Sequence, residues 1–210
     1  MLRVELIQTS GWEPALRGMR NAMNSWHLQD SIFDIDGSVT IGPKDLDLCK
    51  RLIKAGPSHR KFLRMIHVQM DVTAPLYWWK DYDTYKVATV ANSCSTMHKI
   101  HSRDLVTSDF SCDYLDEQGF NLLRLTIDSI NYYRKKYVDS GLKDKQSWYT
   151  MIQLLPTSYM QKRTLDLNYE TILSLIHDRE NHKLDEFRFL CTELKLELPY
   201  LKDFLEAAKK

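Results

Sequence analysis

Residues 155–179 read LPTSYMQKRTLDLNYETILSLIHDR. Pro156 stops the helical pattern of 146–155, because proline has no N–H to donate and its ring clashes with the preceding turn. Residues 159–167 read as extended chain. Asn168 carries the short side-chain acceptor that caps helix N-termini, and apolar residues then recur at helical spacing through 168–179. Arg179 closes that helix. Asn168 falls twelve residues after Pro156, and Arg179 eleven after Asn168.

Working outward, 183–194 continues as a helix beyond the polar Glu180-Asn181 link, and Pro199 starts a last short one. Upstream, 115–137 is a long amphipathic helix with Leu122, Leu123, Leu125, Ile127, Ile130 and Tyr133 as its core stripe. Residues 65–72 alternate, which places Ile66, Val68, Met70 and Val72 on the apolar face of a strand. Pro75 opens an aromatic helix with Tyr77, Trp78, Trp79, Tyr82 and Tyr85. Residues 91–101 form a turn or a further helix. Pro43 suits the first turn of a helix over 44–54, with Leu46, Cys49, Leu52 and Ile53 on one face. Leu2, Val4 and Leu6 alternate with Arg3 and Glu5 as an N-terminal strand. A helix over 12–26 follows, then a loop or small hairpin over 27–42. Strands this few and this far apart favour an α+β fold, with 1–210 as one domain.

Composition removes several function classes. Lys+Arg number 29 against 28 Asp+Glu, so no global basic field exists to hold nucleic acid. Four scattered cysteines without a C-x-x-C pair read as reduced thiols of a cytoplasmic protein. Charges inside the first apolar run argue against a signal peptide, and no apolar run is long enough to span a membrane. Asp34-Ile35-Asp36-Gly37 opens like a calcium loop, but the later ligands are absent, so it is a turn. No glycine-rich phosphate loop is present.

The spacing from Leu155-Pro156 to Asn168 to Arg179 resembles the flavin-dependent thymidylate synthase family. Other parts fit in order: Arg17 and Arg20 on the first helix, Gly56 and His59, Phe62-Leu63-Arg64, Ala74-Pro75, and Glu186 from a longer family run. The resemblance implies a small antiparallel sheet with flanking helices, FAD as cofactor, and deoxyuridine monophosphate (dUMP) methylated reductively by methylenetetrahydrofolate and a nicotinamide. It implies a homotetramer with sites shared between subunits, for which the aromatic helix from Pro75 and the 115–137 helix are the interface candidates. On this frame Asn168, Arg64 and Lys86 would contact the flavin, and Arg179 would contact and polarise the pyrimidine. Arg20, Thr89, Ser93, Cys94, Ser95, His98 and Lys99 would hold the nucleotide. The family's central Arg-His-Arg, Ser, Asn-Glu, Ser, Arg-Tyr signature is rewritten here as Thr84-Tyr85-Lys86, Thr89, Ala91-Asn92, Cys94 and Thr96-Met97. Replacing Arg by Lys loses the planar bidentate fork. Two readings follow: the enzyme, or a non-catalytic protein that keeps the cleft to sequester a nucleotide or nucleotide-derived signal.

Each candidate has a plainer alternative. Arg17, Arg20, Arg64, Lys80, Lys86, Lys99, Arg163 and Arg179 are the cations available for phosphate, and solvated surface charge is the ordinary role for each. Asn168 could simply cap its helix. Trp78 and Trp79 could stack on a flavin or pack in a core; adjacent residues cannot share one helix face, which leaves one of them for a partner subunit. Cys94, His98 and His101 would face one way on a helix, as a metal trio near Asp104.

Overall fold

The structure, a computed structural model, describes residues 2–35 and 37–209. Asp36, within the turn expected at 34–37, lies outside the described residues, as do Met1 and Lys210. The fold is α+β: a small antiparallel sheet flanked by helices. Its strands are β1 (Arg3–Ser10), β4 (His67–Pro75), β5 (Val90–Ser93) and β6 (Met160–Asn168), in the order β1-β4-β6-β5. A separate hairpin pairs β2 (Ile32–Phe33) with β3 (Val39–Thr40), antiparallel, Phe33 opposite Val39. The helices are α1 (Trp12–Met19), α2 (Pro43–Lys54), α3 (Leu76–Tyr82), α4 (Glu117–Asp139), α5 (Lys145–Leu154), α6 (Tyr169–Arg179), α7 (Asp185–Glu197) and α8 (Leu201–Ala208).

The residues group into two compact units. One comprises Met1–Arg3, Val72–Thr84 and Asn92–Arg163. Its core joins Ile100, Leu105 and Phe110 to Leu123, Ile127 and Ile130 of α4 and Met151 of α5. Asp116 caps α4 by accepting from the Gly119 N–H at 2.8 Å. On α4 the buried stripe is Leu123, Ile127 and Ile130; Leu122 and Leu125, expected in it, are 65% and 64% exposed. Both aromatic candidates of α3 are buried within the chain, Trp78 at 0% and Trp79 at 1%. The Trp78 ring stacks on Tyr82 (centroids 5.0 Å) and meets Trp79 edge-on (4.8 Å). The expected split of the two tryptophans between core and partner subunit therefore does not occur: ring-on-ring packing absorbs both.

The other unit comprises Val4–Asp71, Tyr85–Ala91 and Thr164–Lys210. The alternation of β4 holds: Ile66, Val68, Met70 and Val72 are all fully buried, while His67, Gln69 and Asp71 are half-buried on the other face. Aromatic edges tie α1, α6 and α8 together, with Trp12 to Tyr169 at 5.1 Å and Tyr169 to Phe204 at 6.0 Å. Such side chains contribute about 1.5–3 kcal/mol each when fully buried. α1 is shorter than the expected 12–26; short 3-10 turns, Asn21–Met23 and Trp26–Leu28, replace its last part. Gly11 precedes α1 with φ +82°, and a Cβ there would collide with the Met65 carbonyl, so only glycine fits.

Residues 91–101 are not helical: β5 ends at Ser93 and turns follow. Cys94, His98 and His101 therefore do not share a helix face. No cluster of three potential metal ligands occurs among the described residues.

Candidate functional site

The candidate residues fall into two sets, one in each unit. In the unit that holds α6, Arg179 is the last residue of the helix. Its Nε donates to the Tyr85 hydroxyl at 3.1 Å. Its guanidinium lies 5.5 Å from the Tyr85 ring centre and 5.0 Å from that of Phe187 on α7. The Tyr85 hydroxyl also lies 3.4 Å from Asp178 Oδ2, to which it donates. Burial raises the Tyr85 hydroxyl above its ordinary value; Arg179 works against this and Asp178 with it. The phenol thus stays protonated at neutral pH and fixes a half-buried cation between two rings, an arrangement worth about 0.5–2 kcal/mol per cation–ring contact. The sequence places Tyr85 on the aromatic helix from Pro75, but α3 ends at Tyr82 and Tyr85 lies beyond it. Asp178 and Phe187 were not singled out; nothing in their spacing signals a contact with residue 85.

Asn168 is 4% exposed and caps α6. Its Oδ1 accepts from the Thr171 N–H at 2.9 Å and the Thr171 hydroxyl at 3.2 Å. The amide nitrogen takes no part in the cap. Arg64, on a short 3-10 helix over Lys61–Met65, is exposed, and so is Lys86. The Thr89 hydroxyl donates to the Tyr85 carbonyl at 2.5 Å, closing the 85–89 turn.

Arg20 is placed differently from the expectation. It is 4% exposed and paired with Asp45, itself fully buried, through Nε at 2.7 Å and a terminal nitrogen at 2.6 Å. The second Asp45 oxygen accepts from the N–H of Asp30, and from the N–H and hydroxyl of Ser31. Asp30 in turn accepts from the N–H groups of Lys44 and Asp45, which satisfies the open donors of the first turn of α2. Arg20 is thus part of an internal polar network, and its burial leaves it no face toward a ligand phosphate.

The other set lies in the unit that holds α4. Ser93 and Cys94 are exposed at the end of β5. The Cys94 N–H donates to the Lys162 carbonyl at 2.9 Å, and its carbonyl accepts from Gln161 at 2.8 Å. The Ser95 hydroxyl accepts from the N–H groups of Met97 and His98 and lies 2.9 Å from His98 Nδ1, so Ser95 and His98 form one local turn. Lys99 is exposed. Arg163, a phosphate candidate from sequence, lies 4.2 Å over the Trp79 ring and binds Asp83 at 2.7 Å and Gln161 at 3.1 Å.

No family model and no curated protein sequence matches this chain. Solved structures do. A crystal structure of thymidylate synthase X (ThyX) from Helicobacter pylori with FAD and dUMP aligns over 100% of both chains, with TM-score 0.69 and 16% identity. A second, of flavin-dependent thymidylate synthase ThyX from Helicobacter pylori complexed with FAD and dUMP, covers 99% of this chain and 100% of that chain, with TM-score 0.68 and 16% identity. The sheet flanked by helices, matched over the whole length at this low identity, gives the chain a divergent form of the ThyX fold.

Proposed function

We propose that this chain is a nucleotide-binding protein whose ligand is a pyrimidine deoxynucleotide of the dUMP type, contacted by Arg179. One observation carries the reading: Arg179 is held between Tyr85 and Phe187 at the end of α6. A cation fixed in advance loses little entropy when it meets a polar heterocycle, and its charge would polarise a pyrimidine carbonyl. The fold supports the choice of ligand, since the H. pylori enzymes that share it bind dUMP and FAD. Thr89, in the same unit as Arg179, is the proposed contact to that nucleotide's phosphate; Ser93, Cys94, Ser95, His98 and Lys99, in the other unit, are proposed separately as phosphate-binding residues.

The donor set is compatible with a flavin. Asn168 keeps its amide nitrogen outside the helix cap, and Arg64 and Lys86 are exposed cations; amide and cationic donors are the groups a flavin ring and its phosphates accept from. If bound, FAD would carry the hydride that a reductive methylation needs. This chain's part would then be to orient the pyrimidine on Arg179. A homotetramer, with α4 at an interface, belongs to the same reading.

Tyr85 favours the non-catalytic alternative. It stands within Thr84-Tyr85-Lys86, and its hydroxyl is engaged by Arg179 and Asp178. Nucleotide binding is common to both readings.

Thermal unfolding with dUMP, FAD or both tests them together. A ligand at 100 times its Kd adds about 2.7 kcal/mol of stability. A shift with dUMP and a bound chromophore absorbing near ~450 nm support the enzyme; a shift with dUMP and no flavin uptake supports the sequestering protein. No shift with either ligand rules out both.

A further inference from the structure

β1 is an outer strand of the sheet: it pairs with β4, and among the described residues no strand lies on its other side. Residues 4–8 make no backbone hydrogen bond outside the sheet among the described residues. Such an edge presents a row of open N–H and C=O groups, a template for one more strand. Burial on the core face falls off toward this edge. Val68 and Met70 of β4 are fully buried, whereas Val4 and Leu6 of β1 are half-buried. The uncovered part is a slot of about 210 Å³, lined by Val4, Leu6 and Met70 from the sheet and by Leu194 and Leu198 at the C-terminal end of α7. That is below the roughly 300–1,000 Å³ of small-molecule sites, so it suits aliphatic side chains rather than a cofactor.

Glu193 and Glu197 complete the lining, one turn apart on α7. Among the described residues no cation lines the slot, and neither glutamate has an ion-pair partner. Lys195, between them in sequence, is turned to Glu180 at 2.6 Å. Val4 and Leu6 belong to both the edge strand and the slot. A chain laid along β1 therefore sets alternate side chains over the slot and beside the two carboxylates. Strand addition of this kind draws affinity from main-chain hydrogen bonds and specificity from side-chain pockets. The charge argues against a second copy as the occupant. Two-fold pairing through β1 would bring Glu193 and Glu197 of both chains to one seam, and like charges facing across an interface disfavour it.

We infer that the β1 edge docks an extended basic segment of a partner protein. The segment's backbone adds a strand to β1, an apolar side chain enters the slot, and a Lys or Arg two residues along meets Glu193 and Glu197. The probe is the peptide fluorescein-Thr-Val-Thr-Lys-Thr-Leu-Thr-amide, whose Val, Lys and Leu share one face when extended. It is titrated into the full chain by fluorescence anisotropy. The wild type binds it, and at saturation the amides of residues 4–8 gain protection from hydrogen exchange. The same peptide with Lys replaced by Glu binds at least about fivefold more weakly, and so does the original peptide to Glu193→Gln/Glu197→Gln, the range expected of two rim ion pairs. That double variant keeps the wild-type unfolding midpoint, since neither glutamate is buried. Methylating the peptide nitrogens of alternate residues removes the donors along one edge; it abolishes binding for one of the two alternate sets and not for the other. The proposal is overturned if the probe does not bind, if both methylated peptides bind as well as the original, if the double variant matches the wild type, or if binding leaves residues 4–8 unprotected. It is equally overturned if those amides are already protected by self-association, the occupant then being a second copy. Arg179 does not line the slot, and dUMP binding enters none of these outcomes.

Discussion

At Asp45 the chain buries a full negative charge, and Arg20, Ser31 and the Asp30 N–H surround it. The sequence hides this arrangement. Asp45 reads as an ordinary acid in the first turn of a helix, and Arg20, 25 residues away, reads as a surface cation or a phosphate ligand. Their contact depends on how α1 and α2 pack, which no local pattern encodes. Removing one partner of a buried pair leaves the other uncompensated, at a cost of about 3–5 kcal/mol. Asp45→Ala should therefore lower the midpoint of urea unfolding steeply, whereas loss of a solvated surface pair would barely move it. Asn168 is the opposite case, since its cap was legible from residue type and position alone. Its amide nitrogen, outside the cap, is the proposed donor to the flavin. Asn168→Asp keeps the capping acceptor and removes the donor; stability should hold while FAD affinity falls about tenfold. Equal losses in both would make Asn168 a helix cap only.

Among the elements, those with strong periodicity were readable. β4, α2, α6 and the extent of α4 follow from alternation, Pro43, Asn168 and the apolar stripe of 115–137. β5 was not readable: its four residues are all exposed, so it has no buried face to alternate. α4 was read correctly in span but too broadly in its core. Leu122, Leu125 and Tyr132 remain 65%, 64% and 61% exposed, an apolar row beside the buried one. If this row forms the subunit interface proposed above, sedimentation velocity should find an oligomer for the wild type. Leu122→Glu/Leu125→Glu should then shift it to a smaller species, because charge at an apolar contact centre is strongly unfavourable. A monomeric wild type would remove α4 from that role.

For the whole molecule, acid sensitivity follows from carboxylates held in their charged form. Burial pushes Asp30 and Asp109 up, but it is outweighed, at Asp30 by the Lys44 and Asp45 N–H groups and at Asp109 by Arg103 and the Val106 N–H. Both end below the ordinary 3.8. Glu180, through Lys195, ends below 4.5. Folded-state values below the unfolded ones mean that this stability is fully present above about pH 5 and is lost as pH falls through the folded values. Thermal midpoints should be flat from pH 7 to about 5 and then decline, with Arg103→Ala reducing the slope of the decline. At the same scale, the ThyX architecture is legible only as a resemblance to a known family at one spacing, Leu155-Pro156 to Asn168 to Arg179, which a strand and a capped helix occupy in the structure. The clustering of Arg179 with Tyr85 and Phe187 is not legible there, since Tyr85 lies 94 residues from Arg179. The central claim is that Arg179, so held, contacts a pyrimidine nucleotide. Calorimetric titration of dUMP into the wild type and Arg179→Ala tests it most directly. The account predicts binding by the wild type and at least about tenfold weaker binding by the variant; no binding by the wild type, or equal binding by both, would contradict it.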